Sequence, residues 1–178
     1  MQKKGEDHML NRKNSFSKAF KIATTRTKYS LKGEDEVGKK IQKGLIKAKN
    51  VPHFCYVQQK GGSLEQAMTM LHILKMDNLS AYLGVYMDES LYCEDKLASY
   101  YFVLYHDSNL SKWYVANFEP VGEPLNRYKQ DAIPFLKFLQ ERKEIWIYNV
   151  YDFRNGQLPL FGGFFKKPLA HLNIRWLI

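Results

Sequence analysis

Gly61-Gly62-Ser63-Leu64-Glu65-Gln66-Ala67 begins the one helix whose start, buried face and end can all be read from the residues. Ser63 is a good N-cap, and Gln66 three positions on has the spacing of a capping box, in which a hydroxyl and a side-chain carbonyl satisfy two orphan amides. A helix is therefore expected from Ser63. Leu64, Ala67, Met68, Leu71 and Leu74 recur at helical spacing as one apolar stripe, and Asp77-Asn78 ends the run with turn formers. That stripe belongs in the core. Gly61 and Gly62 let the chain turn sharply and leave little cover over the helix start. Exposed amides at a positive dipole end suit a nucleophile or an anion.

Composition bounds the rest. A chain of 178 residues, 45% hydrophobic and 15% aromatic, holds one well-buried domain. Two cysteines, Cys55 and Cys93, are too few for a disulfide scaffold or a structural zinc site, and no metal or cofactor motif is present. No apolar run follows the first lysines, and none reaches the roughly 20 residues of a membrane span, so a soluble, cytoplasmic protein is expected. The net charge of +9 is uneven. Residues 1–50 hold 14 Lys and Arg against 5 Asp and Glu, while the remaining 128 residues hold 13 against 13. Residues 1–30 therefore read as a basic, partly disordered arm, and residues 31–178 as a single α+β domain. Such an arm suits nucleic acid, anionic lipid or an acidic protein surface, or it serves solubility alone.

Taken in order, the first dozen residues are expected to be mobile, with a short amphipathic helix over Ser15–Ala23. Acidic residues at the start and lysines at the end mark a second helix over Glu34–Lys49, with Val37, Ile41, Leu45 and Ile46 inward. Pro52 ends it by Asn50, and His53–Val57 follows as an extended approach to the central helix. Beyond that helix, Leu79–Met87 alternates as a strand, and the polar Asp88–Lys96 reads as a loop. Ser99–His106 and Lys112–Phe118 form an antiparallel hairpin turned at Asp107-Ser108-Asn109, with Tyr105 near Lys112 and Tyr100 facing Asn117. A helix over Ala132–Lys143, capped by Asp131 with Pro134 in its first turn, precedes strands over Glu144–Tyr151 and His171–Ile178. Asn155-Gly156 and Gly162-Gly163 mark breaks between those strands. The order gives helices packed on a mostly antiparallel sheet, an α+β class.

The central helix and the hairpin together resemble the transglutaminase-like family of the papain-like cysteine-protease fold. That family looks like Gly-x-Cys-x-x-x-Ala at a core helix, then a strand opening with His, then a strand ending Trp-x-x-x-Asp. The corresponding residues are Gly61, Ser63 and Ala67, then Tyr100, then Trp113 and Asn117. The resemblance covers Gly61 to Pro120, about a third of the chain. It implies a core of that fold, and a triad degenerate at two positions. Ser63 stands for the thiolate, Tyr100 for the base and Asn117 for the orienting group. An unassisted serine is a poor nucleophile, and a tyrosine titrating near pH 10 cannot take its proton at neutral pH.

Cys55 with His106 is the substitute pair to weigh, but one lies before the helix and the other at the hairpin turn. His53, His72 and His171 stand alone. Tyr100, Tyr101, Phe102, Tyr105, Trp113 and Tyr114 give the hairpin a face of rings, which stabilises a sheet and also suits base stacking. Arg142-Lys143 and Lys166-Lys167 read as solvated charges. The expectation is a catalytically inactive transglutaminase-like domain. It would bind a protein or nucleic acid through residues 1–50 and a relict cleft at Gly61, Gly62, Ser63, Tyr100, Trp113 and Asn117. The alternatives are a hydrolase or acyltransferase using Ser63 or Cys55, and a nucleic-acid-binding module.

Overall fold

The computed structural model describes residues 3–29, 40, 43–46, 50–58, 60–93, 96–119, 132–142, 144–148 and 170–173. It is an α+β arrangement of helices on a six-stranded antiparallel sheet.

Helix α1, Lys3–Arg26, contains the expected Ser15–Ala23 segment and extends beyond it at both ends. Phe16, Ala19, Phe20 and Ala23 are buried, a spacing of three and four that gives one inward stripe. Strand β1, Lys28–Tyr29, pairs in parallel with β2, Lys60–Gly61. Most of the expected Glu34–Lys49 helix lies outside the described residues. Where it is described, Gly44 has φ +69° and the Leu45 amide reaches back to the Lys40 carbonyl at 2.9 Å. That is a glycine-terminated turn rather than continuing helix at 43–46, and Leu45 is 70% exposed rather than inward.

Helix α2, Val51–Val57, replaces the extended approach expected over His53–Val57. Pro52 sits in its first turn, where the fixed φ fits a helix and the missing N–H would have had no partner. Val51 and Cys55, one turn apart, face the core. Helix α3, Ser63–Met76, is the expected central helix with its cap one residue earlier: Gly62 is the N-cap, and its amide donates to Glu65 Oε2 at 2.8 Å. Ser63 and Gln66 therefore do not form the capping box. The helix ends where the turn formers stand, with Asn78 at φ 54° and the Leu79 amide on the Leu74 carbonyl at 2.8 Å.

Strands β3 (Ala81–Cys93), β4 (Lys96–Asp107), β5 (Lys112–Asn117), β6 (Ile133–Pro134), β7 (Glu144–Tyr148) and β8 (Ala170–Asn173) lie in the order β6-β5-β4-β3-β7-β8. Of the expected Asp88–Lys96 loop, residues 88–93 and Lys96 are instead strand at the far end of the β3–β4 pair, with a register shift between Asp88 and Cys93, and residues 94–95 lie outside the described residues. Ladder pairing outweighs the low strand propensity of those polar residues. The β4–β5 hairpin pairs Asp107 with Lys112, so Phe102, not Tyr100, faces Asn117. Asp107 Oδ1 holds the turn by accepting from the Asn109 and Leu110 amides at 2.9 and 3.3 Å. The expected Ala132–Lys143 helix begins later, as α4, Phe135–Arg142. Pro134 pairs with Tyr114 on the outer strand β6, where a residue without an N–H is tolerated. Asp131, residues 149–151 and residues 174–178 fall outside the described residues.

The strand pleat divides two cores. Leu83, Val85, Tyr101, Val103, Tyr105 and Ala116 face α1, α2 and α3. Tyr86, Tyr100, Phe102, Leu104, Val115 and Ile147 face the other way, under Phe138 and Leu139 of α4. Three layers result, with the sheet in the middle.

Candidate functional site

Ser63 stands at the start of α3, only 3% exposed, and its Oγ accepts a hydrogen bond from the Tyr101 amide at 3.3 Å. Gly61 and Gly62 are buried and do not leave the helix start open. A Cβ on Gly61 would lie 2.4 Å from Glu65 Cβ, so the glycine is there to let the Glu65 side chain fold back over the backbone. The amide and the dipole at this helix end thus serve the protein's own carboxylate, which occupies the place of an external anion.

Tyr100 and Asn117 lie on paired strands, but they face away from α3. Tyr100 belongs to the cluster beneath α4, with its ring 5.8 Å from that of Tyr86. Asn117 shares that face through its pairing with Phe102. The sheet therefore stands between Ser63 and the other two positions, and the side chain turned toward α3 from this part of β4 is Tyr101. Trp113, 42% exposed, is on the same face as Tyr100 but at the other end of the hairpin, beside His106.

What Asn117 joins is a polar network that no local spacing announces. Its Nδ2 donates to the Tyr86 hydroxyl at 3.2 Å, and that hydroxyl donates to the Glu119 carboxylate. Arg142 Nη2 donates to the same carboxylate at 3.0 Å, and its guanidinium lies 4.9 Å from the Tyr86 ring centre. Arg142 is thus not the solvated charge expected from sequence: it anchors α4 to the sheet. Four residues spread over 57 positions meet only because β3, β5 and α4 come together, so sequence reading could not collect them.

Burial, with the Glu119 carboxylate next, raises the Tyr86 pKa above its ordinary value. The unfolded chain releases this proton near pH 10 while the folded chain retains it, so the contribution to stability is intact below pH 10 and declines above it. Denaturant melts at stepped alkaline pH should show this decline in the native protein and a shallower one in Tyr86→Phe. Equal slopes in the two proteins would refute it.

Cys55 is fully buried among the helices, and burial followed by the Glu65 charge raises its thiol pKa well above 9.0. His106 is on the opposite face of the sheet, so the two form no dyad. His53 and His72 have ring centres 5.3 Å apart, and burial with the charges of His53 and Lys75 lowers the His72 pKa. His171 Nε2 lies 2.6 Å from Glu144 Oε1 and stacks on Trp146. Among the described residues no group of three His, Cys, Asp or Glu is placed to hold a metal, and no helix is long and apolar enough to cross a membrane.

Compared with models of protein families, with curated proteins and with solved structures, the chain matches none.

Proposed function

We propose that this chain is a non-catalytic, transglutaminase-like domain that acts by binding an acidic partner, protein or nucleic acid, through its basic N-terminal segment in the cytoplasm. The observation that carries the absence of catalysis is the state of Ser63. Its hydroxyl is buried on the Tyr101 amide, and among the described residues no histidine is recorded in contact with it. A nucleophile needs an exposed oxygen and a base within hydrogen-bond reach, and Ser63 has neither. Support for the family reading is narrower: a buried helix starts at Ser63 and packs on an antiparallel hairpin in the expected order. Support for binding comes from α1, whose inward stripe leaves Lys18 and Lys21 exposed on the segment that carries the charge excess.

A fluorophosphonate probe is expected to leave Ser63 unmodified, and iodoacetamide to leave Cys55 unmodified until the protein is unfolded, both read by peptide mapping. A stoichiometric adduct at Ser63 in the folded protein would restore the hydrolase or acyltransferase reading. Alkylation of Cys55 without unfolding would do the same for that residue.

A further inference from the structure

His53 of α2 and His72 of α3 stand side by side on the outer side of the helix layer, with ring centres 5.3 Å apart and ring planes at 67°. His53 is exposed and His72 half-buried, so solvent reaches the pair. The helices set this spacing. Val51 and Cys55 are buried two residues to either side of His53, and Leu71 and Ile73 are buried on either side of His72. Thr69 Oγ1, three residues before His72, lies 3.1 Å from the Cys55 carbonyl oxygen, which fixes α2 on α3 directly beneath the two rings. Tyr56, three residues after His53, has its ring 4.9 Å from that of His72.

Two imidazoles hold one divalent ion when each presents a ring nitrogen at about 2.0–2.1 Å. Each ring centre then lies about 3.2 Å from the ion, and a tetrahedral angle at the ion places the two centres about 5.2 Å apart. The observed 5.3 Å meets that requirement without movement of either helix. Burial, followed by the charges of His53 and Lys75, lowers the His72 pKa, so that ring is in the neutral form that ligation uses. We propose that His53 and His72 together bind a late first-row divalent transition ion, Cu²⁺ more tightly than Zn²⁺. Imidazole nitrogen selects such ions, whereas Mg²⁺ and Ca²⁺ take oxygen ligands. Among the described residues no Asp, Glu or Cys completes a set of three, so water fills the remaining positions and the site is open. Lys75, on the same helix as His72, and Arg26, 4.2 Å from the Tyr56 ring centre, place positive charge nearby and limit the affinity. The site is separate from Ser63 and depends neither on the transglutaminase-like reading nor on an acidic partner.

The test is titration calorimetry of the full-length protein with ZnCl₂, CuCl₂ and MgCl₂, paired with thermal melts in each salt. Zn²⁺ and Cu²⁺ are expected to bind, and at about a hundred times Kd to raise Tm by about 5–10 °C. His53→Gln and His72→Gln should each weaken binding by about tenfold or more, and the double variant no further, because a chelate needs both rings. His171→Gln, on the far strand beside Glu144, should bind as the native protein does. Metal-free melts check the fold of each variant, and if His72→Gln is itself destabilised, His53→Gln at its exposed position decides alone. Rings that are only packed edge to face would bind no ion. No binding of Zn²⁺ or Cu²⁺ at about 1 mM, native-like affinity in His53→Gln, or equal binding of Mg²⁺ would each overturn the proposal.

Discussion

Removing residues 1–29 is expected to leave a chain that no longer melts cooperatively. The reason is that the most basic part of the sequence also supplies one wall of the core. Phe16 stacks on Tyr105 at 4.3 Å and Phe20 lies 5.0 Å from Phe118, while Ala19 and Ala23 are fully buried between them. The segment also carries polar ties to α3. Gln66 Nε2 donates to the Thr27 carbonyl at 2.8 Å, and the hydroxyls of Thr27 and Thr69 are 2.9 Å apart. Deletion would expose the face of α3 that α1 covers and leave Gln66 without this acceptor, and a buried polar group so stranded costs about 1–3 kcal/mol. Phe16→Ala alone should cost about 3–5 kcal/mol. For a domain of this size that lowers Tm by about 2–4 °C per kcal/mol. Lys18→Ala with Lys21→Ala, on the exposed side of the same helix, should change stability by no more than about 0.5 kcal/mol. Thermal melts by circular dichroism decide it. A deleted chain that melts cooperatively near the full-length Tm would mean that α1 is only appended. A partner search that compares protein with and without its N-terminus would otherwise confuse lost binding with lost folding, and charge reversal on Lys18 and Lys21 avoids this.

The same helix shows what the sequence could and could not disclose. Phe16, Phe20 and Ala23 gave an amphipathic pattern, yet the surrounding lysines had the composition of a solvated leader; a narrow apolar stripe is enough once Tyr105 and Phe118 offer it a surface. The end of α3 was legible because Asn78 takes the left-handed conformation that turn formers tolerate, and this is a local property. Its start at Ser63 is legible too, but its cap is not: Gly62 takes the cap position and Glu65, not Gln66, reaches back to the backbone, a choice set by the fold of Gly61 under Glu65. Pro52 was ambiguous in the same way, because proline both ends one helix and begins another. The hairpin was legible and its register was not. Moving from the expected pairing to Phe102 opposite Asn117 is a slip of two, which preserves the face of every side chain and so leaves no trace in the alternation. That face is what separates Tyr100 and Asn117 from Ser63. Linear spacing brought the three together on paper, whereas the pleat of β4 sends Tyr100 and Tyr101 to opposite layers. The Tyr86, Asn117, Glu119 and Arg142 network was invisible for the complementary reason, since its members share no element.

Gly84→Ala is expected to be among the most damaging single substitutions in the sheet, although alanine is ordinarily no worse than glycine in a strand. A Cβ at this position would lie 2.0 Å from Phe102 Cζ and 2.1 Å from Cε2, inside the ring that now lies over the glycine from the neighbouring strand. Phe102 is fully buried and has no clear path of retreat, with the Phe138 ring 4.8 Å away and the Tyr86 ring at 6.2 Å. The new methyl must therefore displace α4 or separate β3 from β4, next to the Gly84 pairing with Ile147 on the other side. Overpacking of this kind costs about 1–3 kcal/mol where neighbours can give, and a fully enclosed ring puts the loss at about 3 kcal/mol or more. The cause can be isolated by a double-mutant cycle. Phe102→Leu alone removes packing and destabilises. Combined with Gly84→Ala it also removes the clash, so the pair should be less damaging than the sum of the two by about 1–3 kcal/mol. Additive losses in urea melts would mean that the ring is not what requires the glycine. A Gly84→Ala protein as stable as the native one would mean that Phe102 does not lie over that position in solution, and the packing beneath α4 would then need to be redrawn.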